Sequence, residues 1–321
     1  MIYLLIFLLL FLLIRIYFRL ADHFNIIDKP NERSSHTALT IRGGGIVFYF
    51  AALFYFFWSG FQYPYFFLGL TLVCLISFLD DLFTLSSKLR IAVHFVAVSL
   101  LCYQLELGTF PWWVLLLILV VVIGMLNAYN FMDGINGITA MYSFAVLFLL
   151  WYMDTKINYI DERFLYCIAL GNLVFTLFNF RTKAKCFAGD VGSVGMSFML
   201  VFILWCLILY TQNFIYILFL AVYGIDSVLT IVHRLLKREN IFEPHRSHLY
   251  QYLSNEAKGN RLLIAFSYGL LQLLIGLLVI EFAGKELGVQ VVFSLVLLLL
   301  LSAAYIAIKG QVLKRIQGKG I

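Results

Sequence analysis

Paired carboxylates close one of the long apolar runs in this sequence. Asp80 and Asp81 end that run in the segment SFLDDL. Ionisable groups at membrane depth are costly and mark functional sites by default, and hard carboxylate oxygens suit Mg²⁺ or phosphate chemistry. The plainer alternative is a pair of polar anchors at the end of a membrane helix.

A second motif, NAYNFMDGING, places four amide or carboxylate side chains within ten residues. Asn127 and Asn130 are three residues apart, so both face the same side of a helix. Asp133 follows at the helix end. A capping turn uses only one or two such groups, so this motif indicates a functional site.

A third motif, RTKAKCFAGDVGS, runs from basic residues into a glycine-rich turn that opens a helix. Backbone N–H groups at such a turn attract anions. Asp190, inside the turn, is suited to hold a cation that bridges to phosphate. A role for Asp190 as a simple helix cap is the alternative.

The fourth motif, PHRSH, carries His245 and His248 three residues apart. No cysteine or suitable further histidine accompanies them to complete a zinc site, so phosphate contacts are favoured over metal binding. A solvated basic loop is the alternative. Asp226, in the apolar run before this loop, is an intramembrane carboxylate and functional by default, but the sequence names no partner for it.

The elements that position these motifs are membrane helices. Hydrophobic residues make up 63% of the 321 positions and charged residues 12%, whereas soluble domains are about half apolar and a quarter charged. A hydrocarbon core needs roughly 20 apolar residues per helix. We predict an all-α, polytopic integral membrane protein with about 10–11 transmembrane helices, in one catalytic domain over residues 1–321. The predicted spans are 2–20, 44–60, 63–80, 89–106, 111–130, 137–153, 163–180, 192–210, 213–233, 262–281 and 287–308.

The basic residues divide unequally between the two sides of these spans. One side receives 20 of the 23 Lys and Arg residues. The positive-inside rule makes that side cytoplasmic, which predicts an N-terminus outside and a C-terminus inside. All four motifs then face the cytoplasm. The net charge of +6 needs no nucleic acid to explain it. A weaker polar segment, DKPNERSSH followed by RGGG, lies in the first inner loop. It is either an ordered loop that binds substrate or a simple connector.

Taken together, these motifs resemble the polyprenyl-phosphate N-acetylhexosamine-1-phosphate transferase family over nearly the whole chain. The first loop also resembles the family's N-terminal pattern, with Ile41 where a proline is usual and, in the second motif, Asn136 where many members carry Asp. The HRSH form resembles the branch that starts bacterial surface polysaccharides such as O-antigen. The resemblance implies transfer of a sugar 1-phosphate from a UDP-N-acetylhexosamine, or a 6-deoxy relative, to undecaprenyl phosphate with release of UMP.

The resemblance also implies roles for individual residues. The implied catalytic residues are Asp80, Asp81, Asp133, His245 and His248. The implied substrate-binding residues are Lys88, Arg90, Asn127, Asn130, Phe187 and Arg246, with Phe187 as the side chain that stacks on uracil. The implied metal ligands are Asp190 and Asp133, and the metal is Mg²⁺, with Mn²⁺ as the alternative. The family further implies a homodimer in the bacterial inner membrane.

Three other classes of protein are weighed against this interpretation. A transporter also carries intramembrane carboxylates, but its site lies near the midplane and internal repeats are usual, whereas this sequence shows no repeat. A binding or structural scaffold needs no set of metal-grade carboxylates. A phospholipid synthase carries its aspartates in one compact motif, whereas here they are spread over several loops.

Overall fold

The computed structural model describes residues 1–28, 39–83, 85–241 and 245–317 as a helical bundle. Residues 29–38 of the first loop and Pro244 of the fourth motif lie outside the described residues. The helices are α1 (Ile2–His23), α2 (Ile46–Trp58), α3 (Pro64–Phe83), α4 (Ser87–Gln104), α5 (Trp112–Phe131), α6 (Ile138–Ile157), α7 (Glu162–Asn179), α8 (Gly189–Thr211), α9 (Ala221–Leu236), α10 (Leu249–Gln251), α11 (Arg261–Ala283) and α12 (Leu287–Gln317). A 3₁₀ segment, Phe214–Leu220, runs directly into α9.

Each of the eleven predicted spans coincides with a helix, so the prediction of an all-α, polytopic membrane protein is confirmed. Within the described residues, eight helices are long and apolar enough to cross a membrane. The helix α2 is apolar but has 13 residues, while α4 and α7 have 18 residues each and a more mixed composition. Large apolar side chains cover much of the outer surface, as expected where lipid replaces water.

The central helix of the bundle is α8. It packs against α2, α3, α5 and α6, and its side chains are buried from Val191 to Trp205. The last helix, α12, is the opposite case, because few of its apolar side chains are covered. The motif residue Asp190 therefore begins the most enclosed helix, which fixes its position against several neighbours at once.

Close backbone contact joins the first loop to the start of α8. Two short strands, β1 (Ile27–Asp28) and β2 (Thr40–Ile41), pair antiparallel, and β2 also bridges to Cys186. The N–H groups of Gly44 and Gly45 donate to the carbonyls of Phe187 and Ala188 at 2.8 and 3.0 Å. A side chain on Gly45 would collide with the backbone of Gly192. The RGGG segment thus serves to bring its own backbone against the third motif.

Local sequence features set two helix ends near the site. The Ser86 side chain accepts a hydrogen bond from the backbone N–H of Leu89 and starts α4. Gly189 begins α8 with a φ of +71°, a conformation that favours glycine. These features set where α4 and α8 begin.

Candidate active site

Asp81 binds the N-terminus of α8. Its carboxylate oxygens accept hydrogen bonds from the backbone N–H groups of Asp190 at 3.0 Å and Val191 at 3.2 Å. Arg42 also donates to it from Nε at 2.7 Å. The glycine-rich turn does attract an anion, as predicted. That anion is a carboxylate of the chain itself, so these two N–H groups are already occupied.

Asp190 lies between two arginines. Arg90 Nη1 is 3.2 Å from its carboxylate and 2.7 Å from that of Asp80, so one guanidinium group joins α3 to α8. Arg42 Nη2 approaches Asp190 from the other side at 3.8 Å. Asp80 also accepts from the backbone N–H of Leu85 at 2.5 Å. The two predicted aspartate motifs thus form one site, and its members are cross-linked by arginine.

The asparagine motif joins this cluster from α5. Asn130 hydrogen-bonds to Asp190, and the Asn127 amide donates to the carbonyl of Ile123 at 2.8 Å. Asp133 follows α5 and accepts from the Thr139 hydroxyl at 2.5 Å. Burial raises the pKa of Asp133 to about 6, the Thr139 hydrogen bond opposes the rise, and the charge of Asp190 adds to it. The electrostatic coupling links Asp133 to the same cluster.

The histidine loop approaches from the other side. His248 is buried, and its Nδ1 lies 3.1 Å from the carboxylate of Asp226 in α9. His245 is half-buried and bonds through Nδ1 to the Ser247 hydroxyl at 2.8 Å. Burial, and then the neighbouring charges of His248 and Arg234, lower the pKa of His245 to about 4. His245 is therefore neutral at physiological pH.

A cavity of about 450 Å³ separates the histidine loop from the aspartate cluster. Both predicted polar residues and apolar side chains of α4, α8 and α9 line this cavity. The predicted residues that line it are Arg90, Asn127, Asn130, Asp190, His245 and His248. This cavity is therefore the point at which α4, α5, α8 and the histidine loop share one space.

Three predicted substrate-binding residues do not line this cavity. Lys88 is exposed on the first turn of α4, and Arg246 faces Glu256 across 3.9 Å. Phe187 is half-buried in the segment that precedes α8, where its N–H donates to the carbonyl of Ile41 at 2.8 Å. Their roles in binding substrate stay predictions.

The structure adds two residues that the motifs did not single out as site residues. Arg42 is one, through its contacts with Asp81 and Asp190. His94 is the other: it is buried, it lines the cavity, and neither ring nitrogen has a hydrogen-bond partner among the described residues. The spacing held a clue, because His94 is one helical turn beyond Arg90 and faces the same way.

The donor atoms at this site fit a magnesium ion that is completed by substrate. Among the described residues, no group of three His, Cys, Asp or Glu side chains forms a ready-made metal cage. Magnesium commonly uses one or two carboxylates together with substrate phosphates and water. The cluster supplies such a set, with four carboxyl groups, Asp80, Asp81, Asp133 and Asp190, against two guanidinium groups, Arg42 and Arg90. The excess negative charge favours a divalent cation.

Comparisons with known proteins agree with the motifs. Residues 63–209 match the model of glycosyl transferase family 4. The chain is similar to proteins named undecaprenyl-phosphate alpha-N-acetylglucosaminyl 1-phosphate transferase from Thermotoga maritima (29% identical, covering 78% of this chain and 81% of that protein), Haemophilus influenzae (28%; 77% and 78%) and Yersinia pestis (27%; 73% and 71%). These similarities confirm the resemblance to the polyprenyl-phosphate N-acetylhexosamine-1-phosphate transferase family.

Proposed function

We propose, from this family resemblance, that the chain transfers N-acetylhexosamine 1-phosphate from a UDP-sugar to undecaprenyl phosphate and releases UMP. The names of the similar proteins support undecaprenyl phosphate as the acceptor and N-acetylglucosamine 1-phosphate as the transferred group. The structural observation that carries the proposal is the cavity in which Arg90, Asp190 and His248 meet. The product is the first lipid-linked sugar of a surface glycan.

The cavity suits a reactant that is both charged and apolar. Arg90 and the two asparagines provide donors for phosphate oxygens. Ile91, Val194 and Ile231 offer an apolar wall beside them. A lipid phosphate places its head among the donors and its chain along the apolar side chains. A soluble nucleotide alone needs no such wall, so the mixed lining supports a lipid acceptor.

The reaction is a phosphoryl transfer. An oxygen of the lipid phosphate attacks the phosphorus that bears the sugar, a new P–O bond forms, and the bond to UMP breaks. Both reactants are anionic. Arg90 and the two asparagines, which donate to phosphate oxygens, reduce the repulsion between the reactants and stabilise the negative charge that grows on the leaving UMP. Asp190, Asp133 and Asn130 are the residues that would hold Mg²⁺, which supplies further positive charge to the phosphates when bound. The sugar C1–O bond stays intact, so its configuration is retained.

Asp80 and Asp81 have different contacts, which suggests different roles. Asp81 receives three donors, from Arg42 and two backbone N–H groups, and holds α8 against α3. Asp80 lies beside Arg90 and close to Asp190. We assign Asp81 to the architecture of the site and Asp80 to positioning the lipid phosphate through Arg90.

The proposed location is the bacterial inner membrane, with the motif loops facing the cytoplasm. The concentration of Lys and Arg on the motif side supports this orientation. Nucleotide sugars are water-soluble anions, so the cavity must open towards the compartment that holds them. This orientation places the N-terminus outside and the C-terminus inside.

The test is UMP release by the purified protein in detergent. The assay contains undecaprenyl phosphate, Mg²⁺ and, one at a time, a panel of UDP-N-acetylhexosamines and 6-deoxy relatives. We expect UMP only when lipid phosphate, metal and a suitable donor are present, and a lipid product with retained anomeric configuration. Chelation by EDTA serves as the metal control.

Two results would overturn the proposal. One is a folded protein that releases no UMP from any donor in the panel, which would favour a transporter. The other is an inverted product, which would mean that the sugar C1–O bond is broken and that no phosphoryl transfer occurs.

A further inference from the structure

A second buried carboxylate lies behind the histidine loop. Asp226 is 2% exposed. Its two oxygens accept hydrogen bonds from the Tyr268 hydroxyl at 2.8 Å, the Leu249 N–H at 3.1 Å and the Thr230 hydroxyl at 3.3 Å. The Nδ1 atom of His248 is a further neighbour at 3.1 Å. Four polar partners surround a carboxylate that the sequence left without any.

This arrangement determines how His248 is oriented. A carboxylate accepts and does not donate, so Nδ1 of His248 carries the proton that is shared with Asp226. The ring also stacks on Tyr250 at a centroid distance of 5.9 Å. The other nitrogen, Nε2, is buried and has no hydrogen-bond partner among the described residues, although His248 lines the cavity. An unsatisfied buried nitrogen at a cavity wall indicates a group that meets a ligand.

Further contacts clamp the loop to the same network. Lys309 of α12 donates to the carbonyl of Ser247 at 2.7 Å and to the Tyr305 hydroxyl at 2.8 Å. Tyr305 in turn bonds to Thr230, one of the donors to Asp226, at 2.8 Å. The loop is therefore tied to α9, α11 and α12, and the orientation of His248 is set by tertiary contacts from three helices.

We infer that Asp226 is a positioning residue that holds His248 so that Nε2 hydrogen-bonds to a phosphate oxygen of the reacting substrates. This inference rests on the proposed function, since it names a phosphate as the missing partner. With a carboxylate on one side and a phosphate on the other, the ring carries a proton on both nitrogens and bridges the two anions as an imidazolium that donates from Nδ1 and from Nε2. Such a carboxylate partner fixes the direction of the ring and favours its protonated form.

The experiment is a double-mutant cycle on the transfer reaction. Asp226→Asn preserves the shape of the side chain and removes its charge, and His248→Gln removes the imidazole. We expect each variant to lower kcat about 10- to 100-fold with KM for the UDP-sugar changed less than about threefold. If Asp226 acts through His248, the double variant loses no more activity than His248→Gln alone.

Two further variants separate positioning from general damage. Tyr268→Phe removes one donor from Asp226 and keeps the pair with His248, so we expect a loss of only about fivefold. Asp154→Asn changes another buried carboxylate, at the far end of α6, and should leave kcat unchanged. Thermal unfolding of each variant reports folding. If Asp226→Asn does not fold, Asp226→Glu, which keeps the charge and displaces it by one methylene, enters the same cycle.

The outcomes distinguish this inference from the proposed function. A wild-type protein without UMP release would overturn the proposed function itself. An active wild type in which the losses of Asp226 and His248 variants multiply would overturn the positioning role, because the two residues would then act independently. A normal kcat in Asp226→Asn, or in the Glu variant used in its place, would do the same.

Discussion

Acidic residues at the two ends of the bundle have very different partners. At the motif end, defined by Asp80, Asp81, Asp133 and Asp190, the contacts that join the motifs lie far apart in sequence: Arg90 and Asp190 are 100 positions apart, and Asp81 and the N–H of Asp190 are 109 apart. At the opposite end, Asp161 binds Arg163 only two positions away, with Nη2 at 2.6 Å. The motif end depends on the tertiary structure, and the opposite end caps a helix.

Local capping explains most of the opposite end. Asp161 is the N-cap of α7 and accepts from the backbone N–H of Arg163 at 3.0 Å. Asp154, at the end of α6, accepts from the N–H of Ile160, also at 3.0 Å. A further contact to Asp161, from the Tyr55 hydroxyl, is longer at 3.4 Å. Such groups stabilise the helix ends next to them. A carboxylate near the membrane is thus not a site by itself.

The largest expected effect is a difference in activity between a variant at the motif end and a matched variant at the opposite end. Asp190→Asn removes the carboxylate that both arginines approach, and we expect kcat for UMP release to fall about 10³-fold, equivalent to about 4 kcal/mol of transition-state stabilisation. Asp161→Asn is the matched control, because it makes the same change at a helix N-terminus and should stay within about twofold. Equal losses in both variants would remove the distinction between the ends.

Arginine provides a second, smaller contrast. Arg90→Gln leaves Asp80 and Asp190 without their shared cation, and we expect about a 100-fold loss of kcat/KM. Arg163→Gln breaks an ion pair that is largely local, with an arginine side chain that is 39% exposed, so we expect activity to change less than about twofold. Steady-state kinetics on both variants measures the difference. An Arg90 variant with normal kcat/KM would show that its bridge is only structural.

The smallest expected effect is on stability against pH. The pKa of His245 is about 4 in the folded protein and about 6.5 in an unfolded chain. The stability that His245 contributes is therefore full above about pH 6.5 and is lost as the pH falls towards 4. At Asp161, burial acts to raise the pKa, but hydrogen bonds from Arg163 outweigh burial and the pKa is lowered. The stability that Asp161 contributes is therefore lost only when the pH falls below the usual aspartate range.

Thermal unfolding between pH 7 and pH 4.5 tests this contrast. We expect the melting temperature of the wild type to fall by about 1–2 °C more than that of His245→Gln, since the site is half-buried and the effect is modest. Asp161→Asn should keep the slope of the wild type over this range. A His245→Gln variant with the wild-type slope would contradict the assignment of this effect to the histidine loop.

The sequence predicted the helices well because lipid leaves few choices. Eleven apolar runs predicted eleven spans, and each coincides with a helix, since a backbone in lipid must satisfy its own hydrogen bonds. The motifs also identified most polar groups that line the cavity, because such groups are rare at membrane depth. Asn127, Asn130 and Asp190 could therefore be selected by residue type alone.

The pairing of these groups could not be predicted from the sequence. Asp226 had no partner in the sequence, yet it receives His248 across 22 positions and Tyr268 across 42. His94 carries no signal of its own in the sequence, because an isolated histidine in an apolar helix is most often a core residue, and only the folded structure places it beside the cavity. The predicted anion site at the start of α8 holds Asp81, a neighbour that only the packing of α3 against α8 supplies.

The sequence by itself determined that the chain is a bundle of membrane helices, and it selected the polar motifs from which the phosphoryl-transfer chemistry is proposed. Hydropathy sets that outcome locally, run by run, without reference to the rest of the chain. The tertiary structure alone decided that Asp81 binds the start of α8, that Asp190 meets Arg90 and that Asp226 directs His248. Those roles depend on distances of about 3 Å between residues far apart in sequence, and only the packing of helices around α8 defines such distances.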